Sequence, residues 1–248
     1  MALDAELRAG GIRVTYRASG GAVVDTTLDR LRTDEVIAGL PVREFRWHKG
    51  RRHYSGWYWS STMARLVAYE SRLELARIML GDFDPAVTAI AAQPFRLAGR
   101  DGSRVRRHVP DVLLAGADGG VTVVDVKAPG RRADPEVRAV MEWTRRVAGL
   151  RGWVFEEWYG APPRLLDNVS FLAGYRRRGL IDQELIPVVL EVAGEPSPVA
   201  DVERRVSHAH PALVRPVVMH LLWSGDLVTD MGRPLGGDSM IWLRGAAA

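Results

Sequence analysis

The fold is decided by residues 108–127, which read HVPDVLL (108–114), AGADGG (115–120) and VTVVDVK (121–127). The first and third segments are rich in apolar and β-branched residues, which favour strands. The short segment between them is rich in glycine, as is typical of a tight connection between antiparallel strands. The pattern therefore predicts a β-hairpin.

Three charged residues, Asp111, Asp125 and Lys127, interrupt these otherwise apolar strands. Asp125 and Lys127 are two residues apart, so they project from the same face of their strand. Antiparallel pairing about the glycine-rich turn places Asp111 opposite Val124 or Asp125. Two carboxylates and an ammonium then converge, as metal-dependent phosphodiester hydrolysis requires. The alternative is a partly exposed hairpin that carries an Asp–Lys surface pair.

The flanking segments extend the pattern on both sides. Residues 64–80 have apolar side chains at helical spacing, with Glu70 and Glu74 on one face. A strand is predicted to end at about residue 97. After the hairpin, Asp134 and Pro135 predict a helix start, and residues 153–159 (WVFEEWY) predict a further strand. The order helix, three-strand meander, helix, strand predicts an α/β (α+β) fold with a mixed sheet.

Pro110-Asp111 followed by Asp125-x-Lys127 resembles the signature of the PD-(D/E)xK nuclease superfamily. Several ordered motifs together resemble TnsA-like endonuclease subunits of heteromeric transposases, over roughly residues 43–160. These motifs are YESRLE at 69–74, DFDP at 82–85, QPF at 93–95, HVPD at 108–111 and VDVK at 124–127.

The resemblance implies a restriction-endonuclease-like αβββαβ core and a metal-dependent DNA endonuclease. It implies that Glu74, Asp111 and Asp125 hold Mg²⁺, for which Mn²⁺ can substitute, and that Lys127 is the catalytic cation. Some family members carry Gln or Glu where Asp125 stands, which makes direct metal contact by Asp125 less certain than by Asp111. The implied partners are double-stranded DNA at transposon ends, a DDE-type transposase subunit and an AAA+ ATPase regulator. The nuclease would cut the 5′ ends of the transposon.

Three further candidates each have a plainer alternative. Glu70 is a second helix acid that could instead pair with a nearby arginine, and Gln93 could contact the site or simply satisfy a strand edge. His108 could act at the metal or as a base, contact phosphate, or only pack. Arginines that flank the hairpin suit a phosphate backbone, and residues 43–59 interleave basic with aromatic side chains that could stack on bases or pack on the core. The flanking arginines are Arg104, Arg106, Arg107, Arg131 and Arg132.

Composition excludes several classes of protein. The chain has 34 Lys plus Arg against 30 Asp plus Glu, a net charge of +4, and no cysteine, which excludes disulfides and cysteine zinc sites. No P-loop, dinucleotide fingerprint or nucleophile elbow is present, which argues against ATPases, oxidoreductases and serine hydrolases. No signal peptide or bilayer-spanning run is found, so we expect a soluble, cytoplasmic protein without a membrane partner.

The predicted organisation is an N-terminal segment (1–42), a nuclease domain (43–160) and a C-terminal module (161–248). The first segment contains a strand-like run at 12–16 and a helix-like run at 33–39. In the last, helices predicted at 168–179, 182–192 and 211–223 precede two short strands at 227–230 and 239–243, which suggests a small winged-helix-like module. Two other functions stay open: a stand-alone restriction- or repair-type nuclease, and a catalytically silent DNA-binding adaptor of the same fold.

Overall fold

The structure is a computed structural model that describes residues 11–43, 54–206 and 209–245. The chain divides into two compact units. The first comprises residues 1–81 and 86–160, and the second comprises residues 82–85 and 161–248. The predicted N-terminal segment and nuclease domain thus fall in one unit.

Two four-stranded sheets form most of the first unit. The first sheet has the order β2-β1-β6-β7, and the second has the order β10-β9-β8-β5. The strands of the first unit are β1 (Arg13–Arg17), β2 (Val23–Thr27), β3 (Gly56–Ser60), β4 (Arg65–Tyr69), β5 (Val87–Ala92), β6 (Arg96–Asp101), β7 (Arg104–His108), β8 (Val112–Gly116), β9 (Val121–Val126) and β10 (Val154–Trp158). Its α-helices, among the described residues, are α1 (Thr33–Ala38), α2 (Arg72–Phe83, whose last two residues belong to the second unit) and α3 (Pro135–Gly149).

The predicted hairpin is present as β8 and β9, which pair antiparallel with Val112 opposite Val124. Gly119 has φ of +79°, a left-handed conformation that glycine adopts without steric cost. The Asp118 carboxylate accepts a hydrogen bond from the Gly120 amide at 2.8 Å and stabilises the turn. The hairpin is therefore specified by local sequence.

The second sheet is mixed, as predicted. Strand β5 pairs antiparallel with β8, whereas β10 pairs parallel with β9. A parallel pair needs a crossover connection, and α3 provides it. The Asp134 carboxylate caps α3 by accepting from the Glu136 and Val137 amides, which confirms the predicted helix start. The mixed α/β class is confirmed.

One prediction about the second sheet is incomplete, because the meander is interrupted. Strands β6 and β7 lie in sequence between β5 and β8 but form a hairpin in the first sheet, where β6 pairs with β1. Residues 13–17 are thus part of the first sheet. The predicted N-terminal segment (1–42) therefore supplies β1, a central strand of that sheet, and is not separate from it.

The predicted helix over residues 64–80 is wrong at its start. Residues 65–69 form strand β4, which pairs antiparallel with β3, and helix α2 begins only at Arg72. Ala64, with φ of +48°, lies in the turn between the two strands. The apolar side chains of β4 match a helical spacing by coincidence, and the long-range pairing with β3 decides their conformation.

The core of the first unit lies where the two sheets and α3 meet. Trp143 of α3 is fully buried, and its indole donates to the Arg100 carbonyl at 3.2 Å. Gly99 of β6 leaves room for this packing, because a Cβ there would stand 2.3 Å from Ile12 Cδ1 and 3.5 Å from Trp143. The other core side chains include Val14, Tyr16, Phe95, Leu97, Leu113, Val123 and Val147.

The second unit is helical with a small three-stranded sheet of order β11-β13-β12. Helix α7 contains Pro216 and ends at Gly225, whose φ is +77°. The predicted order of a helix followed by two short strands is observed, whereas the first predicted helix begins at Pro163 instead of residue 168. Its elements are α4 (Pro163–Leu172), α5 (Leu185–Val192), β11 (Ser197–Pro198), α6 (Val199–Arg205), α7 (Pro211–Ser224), β12 (Leu227–Thr229) and β13 (Met240–Leu243).

Candidate active site

The three charged residues of the hairpin meet at one end of the second sheet. The Lys127 ammonium lies 3.2 Å from Asp111 Oδ2 and 3.4 Å from Asp125 Oδ1. The Asp125 side chain is fully buried, and those of Asp111 and Lys127 are 18% and 23% exposed. Two carboxylates thus share one cation in a largely desolvated cluster, which a surface Asp–Lys pair would not do.

Backbone hydrogen bonds hold Asp111 in this position. Its amide donates to the Val124 carbonyl at 3.1 Å, and its Oδ2 accepts from the Val126 amide at 2.7 Å. The pairing of Val112 with Val124 places Asp111 opposite Asp125, one of the two predicted registers. The strand geometry itself therefore brings the two acids together.

His108 contacts the same cluster. Its Nε2 lies 2.6 Å from Asp125 Oδ2, and its side chain is 13% exposed. Asp125 therefore has a hydrogen-bonding partner on each oxygen, His108 on one and Lys127 on the other. This pairing explains how a fully buried carboxylate is tolerated.

The electrostatics of the cluster favour a charged lysine. Burial alone would lower the pKa of Lys127, but the Asp125 and Asp111 carboxylates hold that pKa above its ordinary value. Burial raises the pKa of Asp111, with Asp125 acting in the same direction and Lys127 opposing it. The ammonium is thus stabilised in place, while the site retains a carboxyl group that is costly to ionise.

Glu74 lies in the first turn of α2, where it makes hydrogen bonds at the start of the helix and interacts electrostatically with Asp111. Its Oε2 accepts from the Glu70 amide at 2.8 Å, and its Oε1 lies 3.0 Å from the Ser71 hydroxyl, which itself accepts from the Glu74 amide. The bond from the Glu74 amide to the Ser71 hydroxyl is that of a helix capping box, but the Glu74 carboxylate reaches the amide of Glu70, one residue before Ser71. Burial, helped by the Asp111 carboxylate and opposed by the two hydrogen bonds, raises the pKa of Glu74 to about 7. Glu74 is thus electrostatically coupled to Asp111.

Glu70 is placed differently. It precedes α2, and its carboxylate lies 3.8 Å from the Arg43 guanidinium, with 35% of the side chain exposed. This ion pair is the plainer alternative that the sequence analysis left open, although with a different arginine from those near it in sequence. Among the described residues, the ion-pair partner of the Glu70 carboxylate is Arg43, and the hairpin acids are not in contact with it.

Gln93 lies beside Asp111 and is strained. Its amide donates to the Asp111 carbonyl at 2.8 Å, and its φ of +44° is in the left-handed region, which is unusual for glutamine. The residue is 2% exposed, and its Oε1 is buried with no hydrogen-bond partner among the described residues. An unpaired buried oxygen and backbone strain at one position are typical of functional sites.

Glu157 is a site residue that the sequence analysis missed. It stands opposite Asp125 in the parallel pairing of β9 and β10, and its carboxylate accepts from the Tyr159 hydroxyl at 2.7 Å and from Arg145. These two hydrogen bonds lower the pKa of Glu157, although burial acts against them. The strand was predicted, but its parallel register was not, and the register alone brings Glu157 beside Asp125.

The predicted DNA-binding arginines differ in their surroundings. Arg106 is ion-paired with Asp101, which also binds Arg146 at 2.7 Å. Arg131 pairs with Asp134 at 3.0 Å, and Arg132 lies 5.0 Å from the centre of the Tyr159 ring. Three are exposed and make no ion pair with a described residue, namely Arg104, Arg107 and Arg132.

Much of the predicted basic and aromatic segment at 43–59 lies outside the described residues, which resume at Tyr54. Within the described part, Tyr54 stacks on Arg72, whose guanidinium carbon is 3.8 Å from the ring centre. Tyr58 is buried on β3, whereas Trp57 is half exposed. Packing therefore accounts for part of this segment.

The donor set suits a hard divalent cation. Among the described residues, no group of three or more His, Asp or Glu side chains is already arranged to hold a metal. Mg²⁺ is commonly bound through one or two carboxylates, with water and substrate phosphate as its other ligands. Asp111 and Asp125 already direct carboxylate oxygens at one cation, the Lys127 ammonium. Carboxylate oxygens are the donors that Mg²⁺ and Mn²⁺ prefer, so Asp111 and Asp125 are the residues that would hold such a cation.

Comparisons with known proteins do not identify a family for this chain. No family model matches the chain, and no curated protein matches it. Within the described parts of the chain, no helix has both the length and the apolar character needed to cross a bilayer.

Proposed function

We propose that this chain is a Mg²⁺-dependent DNA endonuclease and the nuclease subunit of a heteromeric transposase. The observation that carries the proposal is the convergence of two carboxylates on the Lys127 ammonium, at 3.2 Å for Asp111 and 3.4 Å for Asp125. The same acids occupy the positions of a PD-(D/E)xK motif. The order α2, β5, β8, β9, α3, β10 also supports it, since this is the αβββαβ order implied by the resemblance once the β6–β7 hairpin, which belongs to the first sheet, is treated as an insertion.

Each residue of the cluster has a distinct role in this proposal. Asp111 and Asp125 would hold the cation, which when bound would polarise the scissile phosphate and activate a water molecule. Lys127, kept charged by the two carboxylates, would orient the attacking water and stabilise the charge that develops on the phosphate. His108 positions Asp125 through their 2.6 Å contact. Glu74 would join the cation once its carboxyl group is ionised.

The transposase assignment rests on the motifs quoted above and on no other observation. It implies cleavage at the 5′ ends of a transposon and action together with a DDE-type transposase and an AAA+ ATPase. A stand-alone nuclease with the same site is chemically equivalent. Genes for a transposase and an ATPase beside the gene for this chain would favour the first function.

A catalytically silent DNA-binding adaptor is the second candidate. It is favoured by one observation, that no ready-made group of three metal ligands occurs among the described residues. Direct metal-binding measurements separate the two candidates, because an adaptor needs no divalent cation at Asp111.

The test compares Asp111→Asn with Asp118→Asn, a matched change at the turn of the same hairpin. Wild type and Asp118→Asn should bind Mn²⁺ in titration calorimetry and nick plasmid DNA with Mg²⁺, alone or with any transposase and ATPase subunits encoded beside it. Asp111→Asn should weaken Mn²⁺ binding and reduce nicking by at least about 10²-fold. Equal Mn²⁺ binding and nicking by both variants would remove the active-site assignment.

A further inference from the structure

The outward side of the first sheet carries an unusual set of arginines. In the strand pairing, Arg13 is opposite Ala98, and Ala98 is opposite Arg107. Residues directly opposite in a sheet share a face, as do residues two apart along one strand. Arg96 and Arg100 therefore lie on this same face. We call these four residues, Arg13, Arg96, Arg100 and Arg107, the arginine face.

The burial pattern shows that the arginine face points to solvent. Val14 and Leu97, which alternate with the arginines on β1 and β6, are buried in the core on the opposite side. All four arginines are exposed, and Val105 between them is 64% exposed. The sheet thus has one apolar side and one basic side.

The charge of the arginine face is not neutralised within the described part of the chain. None of its four guanidinium groups makes an ion pair or a side-chain hydrogen bond with a described residue. Asp25 is the nearby acid on this side, and it accepts a hydrogen bond from Thr15. Arg106, one residue from Arg107 but on the other face, is instead ion-paired with Asp101. Arg106 is thus neutralised by an acid, whereas Arg107 beside it on the arginine face is not.

The arginine face is concave and leads toward the candidate active site. It lines a groove of about 750 Å³ whose wall also includes His108 and Val109. His108 contacts Asp125, and Val109 is two residues before Asp111. The lining includes Ala98, a small residue that allows a backbone to approach closely. The groove therefore borders residues that adjoin the acidic cluster.

We propose that the arginine face binds the phosphate backbone of double-stranded DNA and positions it for the cluster at Asp111. The part of this inference that concerns the positioning of DNA toward Asp111 rests on the proposed nuclease function. The DNA-binding test that follows does not depend on that function. Arg96 and Arg100 are four residues apart on one strand, about 13 Å at about 3.3 Å per residue. That distance is close to the width of the DNA major groove, about 12 Å. Arginine also contacts phosphate bidentately, which suits this role.

The test is the salt dependence of duplex binding in EDTA, where no metal-dependent cleavage occurs. Each phosphate contact contributes about 0.9 to the slope of log affinity against log salt. The triple variant Arg96→Gln, Arg100→Gln, Arg107→Gln should lower the magnitude of that slope by about 2 to 3. Its affinity at 0.1 M salt should fall by on the order of 10²-fold. Fluorescence anisotropy with a labelled duplex measures both quantities.

The matched control is Arg32→Gln, Arg164→Gln, Arg204→Gln. It removes the same charge from exposed arginines that are ion-paired with Asp34, Asp167 and Asp201. This control should keep the wild-type slope. Circular dichroism melting checks that both variants fold, and the single variants Arg107→Gln and Arg106→Gln repeat the comparison within one strand. Only Arg107→Gln should reduce the slope, by about 0.9.

The outcomes separate this inference from the proposed function. An unchanged slope in the triple variant, with wild-type nicking activity intact, overturns the arginine face and leaves the nuclease standing. A reduced slope in a protein that never cleaves DNA supports the face and contradicts the nuclease. If the triple variant loses binding to phosphatidylserine vesicles but not to duplex DNA, the face recognises an anionic surface other than DNA and the inference is wrong.

Discussion

The raised pKa of Glu74 makes a quantitative prediction about stability. A pKa of about 7 against the ordinary value of 4.5 means that the folded protein holds this proton more tightly than the unfolded chain. Below about pH 4.5 the carboxyl is protonated in both states and costs nothing. As pH rises from 4.5 to 7 the unfolded chain ionises first, so the free energy of unfolding falls. Above pH 7 the loss is complete.

The size of this loss follows from the two pKa values. At about 1.36 kcal/mol per pH unit, the difference corresponds to about 3 kcal/mol. Because Glu74 is only partly buried, solvent screens its charge and reduces this figure, so we expect about 1 to 3 kcal/mol.

The perturbation is Glu74→Gln, which keeps the length of the side chain and its acceptor for the Glu70 amide but cannot ionise. Metal-free wild type and variant should be equally stable at pH 4.5, and the variant should be more stable by about 1 to 3 kcal/mol at pH 8. Urea titrations followed by tryptophan fluorescence give the midpoints. Glu70→Gln is the matched control, since it removes a nearby carboxyl whose partner is Arg43.

Added Mg²⁺ provides a second comparison. If Glu74 joins the cation, Mg²⁺ should stabilise wild type above pH 7 more than it stabilises Glu74→Gln, because a ligand that binds only the folded state raises its stability. Parallel stability curves for wild type and Glu74→Gln across the whole pH range would refute the reasoning, since they would mean that Glu74 is solvated and serves only as a helix cap.

Two further predictions concern neighbours of the acids. His108→Ala should lower the free energy of unfolding by about 2 to 4 kcal/mol, because it removes a partner of the buried Asp125 carboxylate. In the background of Asp125→Asn the same change should cost about 1 to 3 kcal/mol less, and additive costs in urea denaturation would show that the contact is not an energetic one. Gln93→Met removes a buried oxygen without a partner, so it should raise stability by about 1 kcal/mol while reducing DNA nicking. A loss of stability with unchanged nicking would instead make Gln93 a packing residue.

The parts of the fold that local sequence specifies could be predicted. The hairpin β8–β9 is encoded by alternating apolar residues and a glycine-rich turn, and the start of α3 by Asp134 and Pro135. The convergence of Asp111, Asp125 and Lys127 follows from this local pattern, because register and side-chain alternation are fixed once the turn is known.

Long-range pairings could not be predicted in this way. The local sequence of β4 is compatible with helix or strand, and its pairing with β3 decides between the two conformations. The insertion of β6 and β7 into another sheet, and the parallel register that brings Glu157 beside Asp125, also depend on distant segments. The His108–Asp125 contact joins the two sheets. The sequence therefore indicates His108 only as a candidate residue and does not identify Asp125 as its partner.

The charges of the first unit suggest that DNA binding and cleavage are carried out by different residues in the proposed nuclease. The carboxyl groups of Glu74, Asp111 and Asp125 outnumber the one ammonium among them, so the cluster is negative when the acids are ionised, and ionisation of Glu74 makes it more so. A phosphate would be repelled from such a cluster in the absence of a divalent cation, since like charges at close range cost more where water is excluded. The arginine face beside it attracts the same phosphates. The face would therefore supply affinity for DNA, and the cluster would admit the scissile phosphate only together with a metal ion.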